Sequence, residues 1–311
     1  MDRLRAFEVF ATVVARGSFV QAAAMLDTSP ANVTRYVNEL EAHLGTRLLN
    51  RSSRKLSLTE SGEALYERSR SILEEVAEAE AIASATSLKP RGRLRINVPV
   101  SFGIRQLAPL WPRFMEQYPD VELDVALADR VVDIIDEGFD LAVRISRGGS
   151  QAHAARKLAS SRNVVCASPG YLLRNPPPKT PDDLRGHACL GYTYAHTADD
   201  WPFIADDGTR QVVKVRYAMH TNNGDTARAA AIAGRGVIWQ PTFLVGEDLR
   251  EGRLVELLPG YRMPKTDVLA VYPSRRHLSA KVRVMVDFLA QAFAGEKAPW
   301  DREGSMVLPL R

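Results

Sequence analysis

The chain has 311 residues, enough for two or three domains, and its 45% hydrophobic and 25% charged residues suit a globular protein with more than one core. A net charge of +4 permits nucleic-acid binding without requiring it. Cys166 and Cys189 stand in no CxxC pattern and no His lies at metal-ligand spacing from them, so two buried, reduced thiols are expected; no run reaches the ~20 apolar residues of a membrane span, and the N-terminus lacks a secretion signal's apolar core, so a cytoplasmic protein without membrane contact is expected.

Residues 1–58 read as short helices and a hairpin. Leu4, Phe7, Phe10 (or Ala11) and Val14 share a helical face, and Gly17 stops that run. Ser18, with Gln21 three residues on, reads as the capping box of a second helix. Asp27-Thr28 makes a corner. Ser29 then caps a third helix, and Pro30 takes its first position, where a missing N–H costs nothing. Val33, Val37, Leu40 and Leu44 form the apolar line of this helix, and Gly45 ends it. At about 100° per residue, Ala31, Arg35 and Asn38 fall opposite that line, flanked by Asn32 and Thr34. A methyl, a hydroxyl, amides and a guanidinium suit a DNA major groove, although any surface helix exposes polar groups. The capped helix and corner before it supply helix-turn-helix geometry. Two short extended runs then meet at Ser52-Ser53, bearing Arg47, Arg51, Arg54 and Lys55, and read as the wing of a winged helix.

Residues 59–88 form a long polar helix. Leu65, Ile72, Val76, Ala79 and Ala83 make a sparse seam, interrupted at Ser69, that calls for pairing with a second copy. "KPRG" at 89–92 breaks this helix as a hinge.

From residue 93 strands and helices alternate. "LRINVPV" alternates Leu94, Ile96, Val98 and Val100, and a helical run follows to Tyr118-Pro119. "VELDVAL" is a strand, "VVDIIDEG" a short helix and "FDLAVRI" a strand. "RNVVCAS" is a strand leading to a crossing near Ser168. A hairpin at residues 206–208 precedes "QVVKVRYAM". "DTARAAAIAG" is a helix, "GVIWQ" a strand, "VLAVYP" a second crossing strand and "LSAKVRVMVDFLAQAF" a terminal helix. This pattern predicts two α/β subdomains linked by two crossings, with a loosely attached tail at 296–311.

"SFVQAAAMLDTSPANVTRYVNELEAHLGTRLLNR" followed by "LTESGE" resembles the winged helix-turn-helix of LysR-type transcriptional regulators. The match falls on Ser18, Phe19, Ala22, Ala23, Leu26, Ser29, Val33, Thr34, Arg35, Leu40, Glu41, Leu44, Gly45, Leu48, Arg51, Leu58, Thr59 and Gly62. "GRLRINVP", "DLAVRIS", "ASPGYL", "TPDDLRGHACL", "AGRGVIWQP" and "GRLVELLP" resemble that family's effector-binding half. Pro30-Ala31 departs from the family's Gln-Pro, Leu49 stands where Phe is frequent, and "RGGSQAHA" replaces a more usual acidic stretch.

The resemblance implies an α/β effector domain of two Rossmann-like, periplasmic-binding-protein-like subdomains, preceded by an α-helical winged helix-turn-helix domain and a long linker helix. The expected boundaries are 1–58 for DNA binding, 59–88 for dimerisation and 93–295 for the effector domain. Its first subdomain takes 93–167 and 271–295, and its second 168–270. Expected DNA contacts are Ser29 and Pro30 at the helix start, Ala31, Asn32, Thr34 and Asn38 toward the bases, and Arg35, Arg51, Arg54 and Lys55 on phosphates. Expected partners are double-stranded DNA at an inverted repeat, a small-molecule effector such as a small organic acid, RNA polymerase, and further copies of the chain as a dimer or tetramer.

For the effector, strand ends and helix starts point to Ser101, Phe102, Arg144, Ser146, Asn222, Asn223, Trp239, Pro241 and Thr242. Ser and Asn before helices are also ordinary caps, and Arg144 also fits a structural ion pair. No GxSxG, HExxH or GxxxxGK[ST] is present, and the six histidines are scattered, so neither catalysis nor a cofactor or metal is expected. The competing reading is a solute-binding protein of periplasmic type with no DNA role.

Overall fold

The computed structural model describes residues 2–52, 55–83, 89–146, 154–194, 199–273, 278–295 and 298–301. The chain divides into two compact units, Met1–Lys89 and Pro90–Arg311.

The first unit holds α1 (Arg3–Arg16), α2 (Phe19–Met25), α3 (Pro30–Leu44), β1 (Leu49–Ser52), β2 (Lys55–Leu58) and α4 (Glu60–Ala83). Asp2, Ser18 and Ser29 cap the three short helices by accepting from Arg5, Gln21 and Asn32 N–H groups, and Gly17 and Gly45 end α1 and α3 in left-handed conformations. Asp27 turns the corner at φ 48°. The core is Ala6, Val9, Phe10, Val13, Ala22, Ala23, Val33, Val37, Leu40, Leu48 and Leu49. Two expected core members fall outside it: Leu4 is 44% and Leu44 42% exposed. Each sits in the terminal turn of its helix, beyond the reach of the packed neighbours. The first-helix stripe is therefore centred on Ala6, Val9, Phe10 and Val13 rather than on Leu4, Phe7 and Val14.

The hairpin β1–β2 pairs Leu49 with Leu58 and Ser52 with Lys55. Glu41 ties it to α3, its Oε1 accepting from the Leu48 and Leu49 N–H groups at 2.8 and 3.1 Å. Thr59 caps α4: its Oγ1 donates to the Arg47 carbonyl at 2.7 Å and accepts from Gly62 N at 3.0 Å. A Cβ on Gly62 would lie 2.0 Å from the Leu48 carbonyl oxygen. Leu65 and Tyr66 pack against the core, and Ser69 is fully buried.

The second unit opens with β3 (Gly92–Val98). A helical run follows, comprising α5 (Val100–Phe102), a π turn (Gly103–Leu107), a 3-10 turn (Ala108–Leu110) and α6 (Trp111–Gln117). Next come β4 (Val121–Leu127), β5 (Leu141–Ser146), β6 (Ala154–Ser161), β7 (Asn163–Ala167), α7 (Pro169–Leu172), β8 (Ala188–Tyr192), β9 (Asp200–Ala205), β10 (Arg210–Lys214) and β11 (Arg216–Thr221). The chain continues through α8 (Gly224–Ile232), β12 (Val237–Pro241), α9 (Thr242–Arg250), β13 (Val255–Leu257), β14 (Tyr261–Arg262), β15 (Thr266–Tyr272) and α10 (Ala280–Ala292). The strands form two five-stranded sheets, ordered β4-β3-β5-β15-β6 and β11-β8-β12-β7-β13, and a small sheet β10-β9-β14. β3 runs parallel to β4 and β5, and β8 parallel to β11 and β12, while β15 and β7 pair antiparallel. This is the mixed α/β pair of subdomains expected from alternation.

Three expectations need correction. The crossings fall at Arg162 and between Met263 and Lys265, because β7 pairs in the second sheet and β15 in the first. Both strands are apolar, and apolarity alone does not say which sheet a strand joins. Residues 131–138 form a single turn, not a helix: Asp133 Oδ1 accepts from the Ile135 and Asp136 N–H groups, and Gly138 reverses the chain at φ 67°. The tail is attached over its described part, since Trp300 is 5% exposed and lies in the main core.

Candidate functional site

On α3, Val33, Val37 and Leu40 are buried, while Ser29, Pro30, Ala31, Asn32, Arg35 and Asn38 are exposed and Thr34 half-buried. The outward residues are partly committed locally. Ser29 Oγ accepts from Asn32 N at 3.2 Å, and Asn32 Nδ2 donates to Thr28 Oγ1 at 3.3 Å. The Thr34 hydroxyl donates to the Pro30 carbonyl at 2.9 Å. Arg35 pairs with Glu39 at 2.9 Å, and its guanidinium lies 5.0 Å from the Tyr36 ring centroid. Such an exposed i,i+4 pair is worth only ~0.3–0.5 kcal/mol, so a phosphate can recruit the guanidinium. Arg51 and Lys55 lie on β1 and β2, and Arg54 lies outside the described residues. Arg47, at the turn before the wing, is also exposed.

Between the two sheets of the second unit lies a cavity of about 230 Å³. Ser101, Phe102, Arg144, Ser146, Trp239 and Pro241 line it, as expected from the strand ends. Asn222, Asn223 and Thr242 do not. Asn222 is exposed. Asn223 caps α8, with Oδ1 accepting from Thr226 N at 3.1 Å, and its Nδ2 reaches across to Asp129 Oδ2 at 3.1 Å. Thr242 is buried against Ser161, their hydroxyls 3.1 Å apart.

Further wall residues escaped the sequence reading. Tyr192, Tyr194, Trp201 and Tyr217 come from separate strands and turns and share no local signal. Gln240 follows Trp239 at a strand end, the rule that found its neighbours. Trp201 stacks edgewise on Trp239 at 5.8 Å and donates through its indole to the Tyr217 hydroxyl at 2.8 Å. Burial, with Asp129 adding to it, pushes Tyr192 up to about 12, so it stays a neutral phenol.

Polar groups converge at two points of this apolar wall. Gln240 Nε2 is buried without a hydrogen-bond partner among the described residues, and Ser101, also buried, lies beside Asp225, whose carboxyl its hydroxyl helps to hold low. A methyl on Gly224, the first residue of α8, would lie 2.7 Å from Leu244 Cδ2 and 3.6 Å from both Ser101 Oγ and Gln240 Oε1, so a glycine is what lets α8 start close against this wall. The second point is Arg144, whose Nη1 donates to Asn97 Oδ1 at 2.5 Å and Nη2 to the Val132 carbonyl at 3.0 Å. Burial holds its pKa below the usual range, with the charge of Glu137 opposing, and arginine remains cationic. Both acceptors are neutral, and no ion pair to Arg144 occurs among the described residues.

Nearby, Arg105 pairs with Asp225 at 2.6 Å, joining the first subdomain to the first turn of α8. Burial pushes Asp225 up, but the hydrogen bonds from Arg105 and Ser101 and the charges of Arg105 and Arg228 outweigh it and hold the carboxyl below the usual range. The pair is therefore intact at neutral pH and is lost as pH falls through that lowered pKa.

Cys166 and Cys189 are buried in different core clusters, and burial raises both thiols, Cys189 to about 12. Thiols so raised stay protonated, so native protein is expected to resist iodoacetamide at pH 8 and react only on unfolding. Rapid modification of native protein, read by mass spectrometry, would contradict this. Among the described residues no group of three His, Cys, Asp or Glu could hold a metal, and no helix is long and apolar enough to cross a membrane.

Known proteins carry both halves of this arrangement. Residues 4–63 match the family profile for a bacterial regulatory helix-turn-helix protein of the lysR family, and residues 88–294 match that for the LysR substrate binding domain. An uncharacterised HTH-type transcriptional regulator of Haemophilus influenzae is 36% identical over 282 residues, covering 91% of this chain and 98% of that protein. The solved structure of CrgA, a LysR-type transcriptional regulator from Neisseria meningitidis, is similar with TM-score 0.59 at 33% identity, covering 92% and 97% of the two chains. Full-length AphB, a Vibrio cholerae virulence activator, is similar with TM-score 0.58 at 28% identity, covering 93% and 98%. These relatives are regulators rather than enzymes. The two-lobed unit alone would also suit a solute-binding protein, but the capped helix-turn-helix and wing in front of it match as well. With both units matched in order across most of its length, the chain belongs to the LysR family of transcriptional regulators, a DNA-binding protein with a small-molecule effector domain.

Proposed function

We propose that α3 enters the major groove of an inverted-repeat operator, with Ala31, Asn32, Thr34 and Asn38 toward the bases. Ser29 and Pro30 start the helix at the DNA backbone, and Arg35, Arg51, Arg54 and Lys55 meet phosphates. The long helix α4 (Glu60–Ala83), in the segment expected to serve dimerisation, pairs two chains, and two such dimers make a tetramer on DNA. The complex acts on RNA polymerase in the cytoplasm, where the chromosome lies. The observation that supports this reading most is the clean split of α3 into a buried line and an exposed polar face.

For the effector we infer a small organic acid with an apolar, ring-like body. The aromatic wall suits the body. The Arg144 guanidinium, bonded to neutral acceptors among the described residues, suits the carboxylate. Gln240, whose Nε2 is buried without a partner among the described residues, suits a second acceptor, with Ser101 on the wall beside it. Ser146 and Pro241 complete the wall on either side. Binding favours one placement of the subdomains and so one placement of the DNA-binding ends.

A thermal-shift screen of carboxylic acids on the full chain tests this. An acid that stabilises the protein is expected to bind Arg144→Met roughly 10–100-fold more weakly, the worth of a hydrogen bond to a charged group. Its neutral amide analogue should be indifferent to the change. Equal affinity of the acid for both proteins would contradict the role of Arg144.

A further inference from the structure

After α10 the described tail returns as a short 3-10 turn, Pro299–Asp301, and Trp300 carries it. The Trp300 ring centroid lies 5.7 Å from that of Phe102, 6.0 Å from Phe243 and 5.8 Å from Phe293. Phe102 and Phe293 belong to the first subdomain, on α5 and just after α10. Phe243 belongs to the second, on α9. Phe102 and Phe243 also touch each other edge to face at 5.1 Å, and both line the cavity. The backbone is held as well: Arg250, on α9, donates from Nη1 to the Trp300 carbonyl at 3.0 Å. A Cβ on Gly246 would come within 3.2 Å of that same carbonyl, so α9 presents a bare surface where the tail lies.

α10 itself packs on the first subdomain. Phe288 meets Phe114 at 5.3 Å, and Lys281 donates to the Arg93 carbonyl at 2.7 Å. The chain thus leaves the first subdomain and docks on the second a third time, after the two covalent crossings. Those crossings lie at Arg162 and before β15; the Arg105–Asp225 and Asn223–Asp129 contacts also span the cleft near the start of α8, and a link of two backbone strands permits hinge bending. A third attachment made of packed rings and a hydrogen bond resists it, yet is weak enough to rearrange.

We infer that the C-terminal turn at Pro299–Asp301 is a strap across the subdomain cleft, and that Trp300 is a positioning residue for the cavity. It sets the angle between the subdomains by holding Phe102 and Phe243 together as the cavity's rear wall. The strap rests on the ring packing and the Arg250 hydrogen bond; its consequence for ligand rests on the cavity being the effector site, so the test is made without ligand.

Spin labels on Asp182→Cys and Gln291→Cys report the distance between the subdomains in the full chain. Both positions are exposed, and the buried Cys166 and Cys189 are not expected to label. Labelled chains are diluted into unlabelled ones so that distances within one chain dominate. Well below the melting temperature, Trp300→Ala is expected to widen the distance distribution roughly twofold. Trp300→Phe, which keeps a ring against three rings, should retain most of the wild-type width. A Trp300→Ala distribution that coincides with wild type, even with a lowered melting temperature, overturns the strap. So does a Trp300→Phe distribution as wide as that of Trp300→Ala. Should Trp300→Ala not fold, Arg250→Ala removes the hydrogen bond to the strap and leaves the ring, and the same widening or its absence decides.

Discussion

Gly62→Ala is expected to destabilise the N-terminal unit by roughly 3 kcal/mol and to abolish operator binding with it. The new methyl would lie 2.0 Å from the Leu48 carbonyl oxygen and 2.9 Å from its carbon, contacts that only a backbone shift can relieve. Leu48 cannot shift cheaply. Its side chain is buried in the core, its N–H is held by Glu41, and its carbonyl accepts from Thr59 N at 3.0 Å. Moving it would displace the wing and the start of α4 together. Loss of helical signal in a circular-dichroism melt, with loss of the gel-shift complex, checks this. A variant that melts and binds like wild type would mean the α4 start relaxes freely around the added carbon.

The second large effect concerns Arg35. Arg35→Ala is expected to weaken DNA binding about a hundredfold when both half-sites of a dimer lose a charge-assisted contact. The plot of log affinity against log salt should become shallower by about two, one released counterion for each half-site. The same substitution removes the Arg35–Glu39 pair, but that pair is exposed and contributes little to folding. Melting should therefore barely move while binding falls. Unchanged affinity and slope would leave Arg35 as a partner of Glu39 and Tyr36 only.

Much of the first unit is legible in local sequence, because caps, corner and glycine stops act over three or four residues. Ser29, Pro30 and Gly45 bound α3 within the sequence itself, and its helical step separates Val33, Val37 and Leu40 from the exposed face. The ends of the apolar lines are less legible: Leu4 and Leu44 fit the period but lie in terminal turns that the core covers incompletely. The roles of Glu41 and Gly62 need tertiary structure. Both stand in the family pattern, yet only the path of the wing shows what they bond or avoid.

In the second unit, strand positions follow from alternation, whereas sheet membership does not. β7 and β15 are apolar runs whose partners lie far along the chain, so their exchange between subdomains is settled by pairing alone. The cavity divides the same way. Ser101, Arg144 and Trp239 sit at strand ends and are found by rule, while Tyr192, Trp201 and Tyr217 meet only because the second sheet folds them together. Asn223 shows the limit of the rule: a helix start can serve as cap and cross-cleft tie without lining the cavity. Trp300 lies in a tail without pattern, and only the ring cluster reveals that it is packed.

Selection of binding sites from random DNA, by the full chain and by its Asn38→Ala variant, bears most directly on DNA reading by α3. If the exposed face of α3 reads the major groove, both proteins recover an inverted repeat of the same spacing. The variant then loses base preference at one position of each half-site, a discrimination of ~1–3 kcal/mol. Identical preferences at every position would contradict that reading of Asn38 and the placement of this face against the bases.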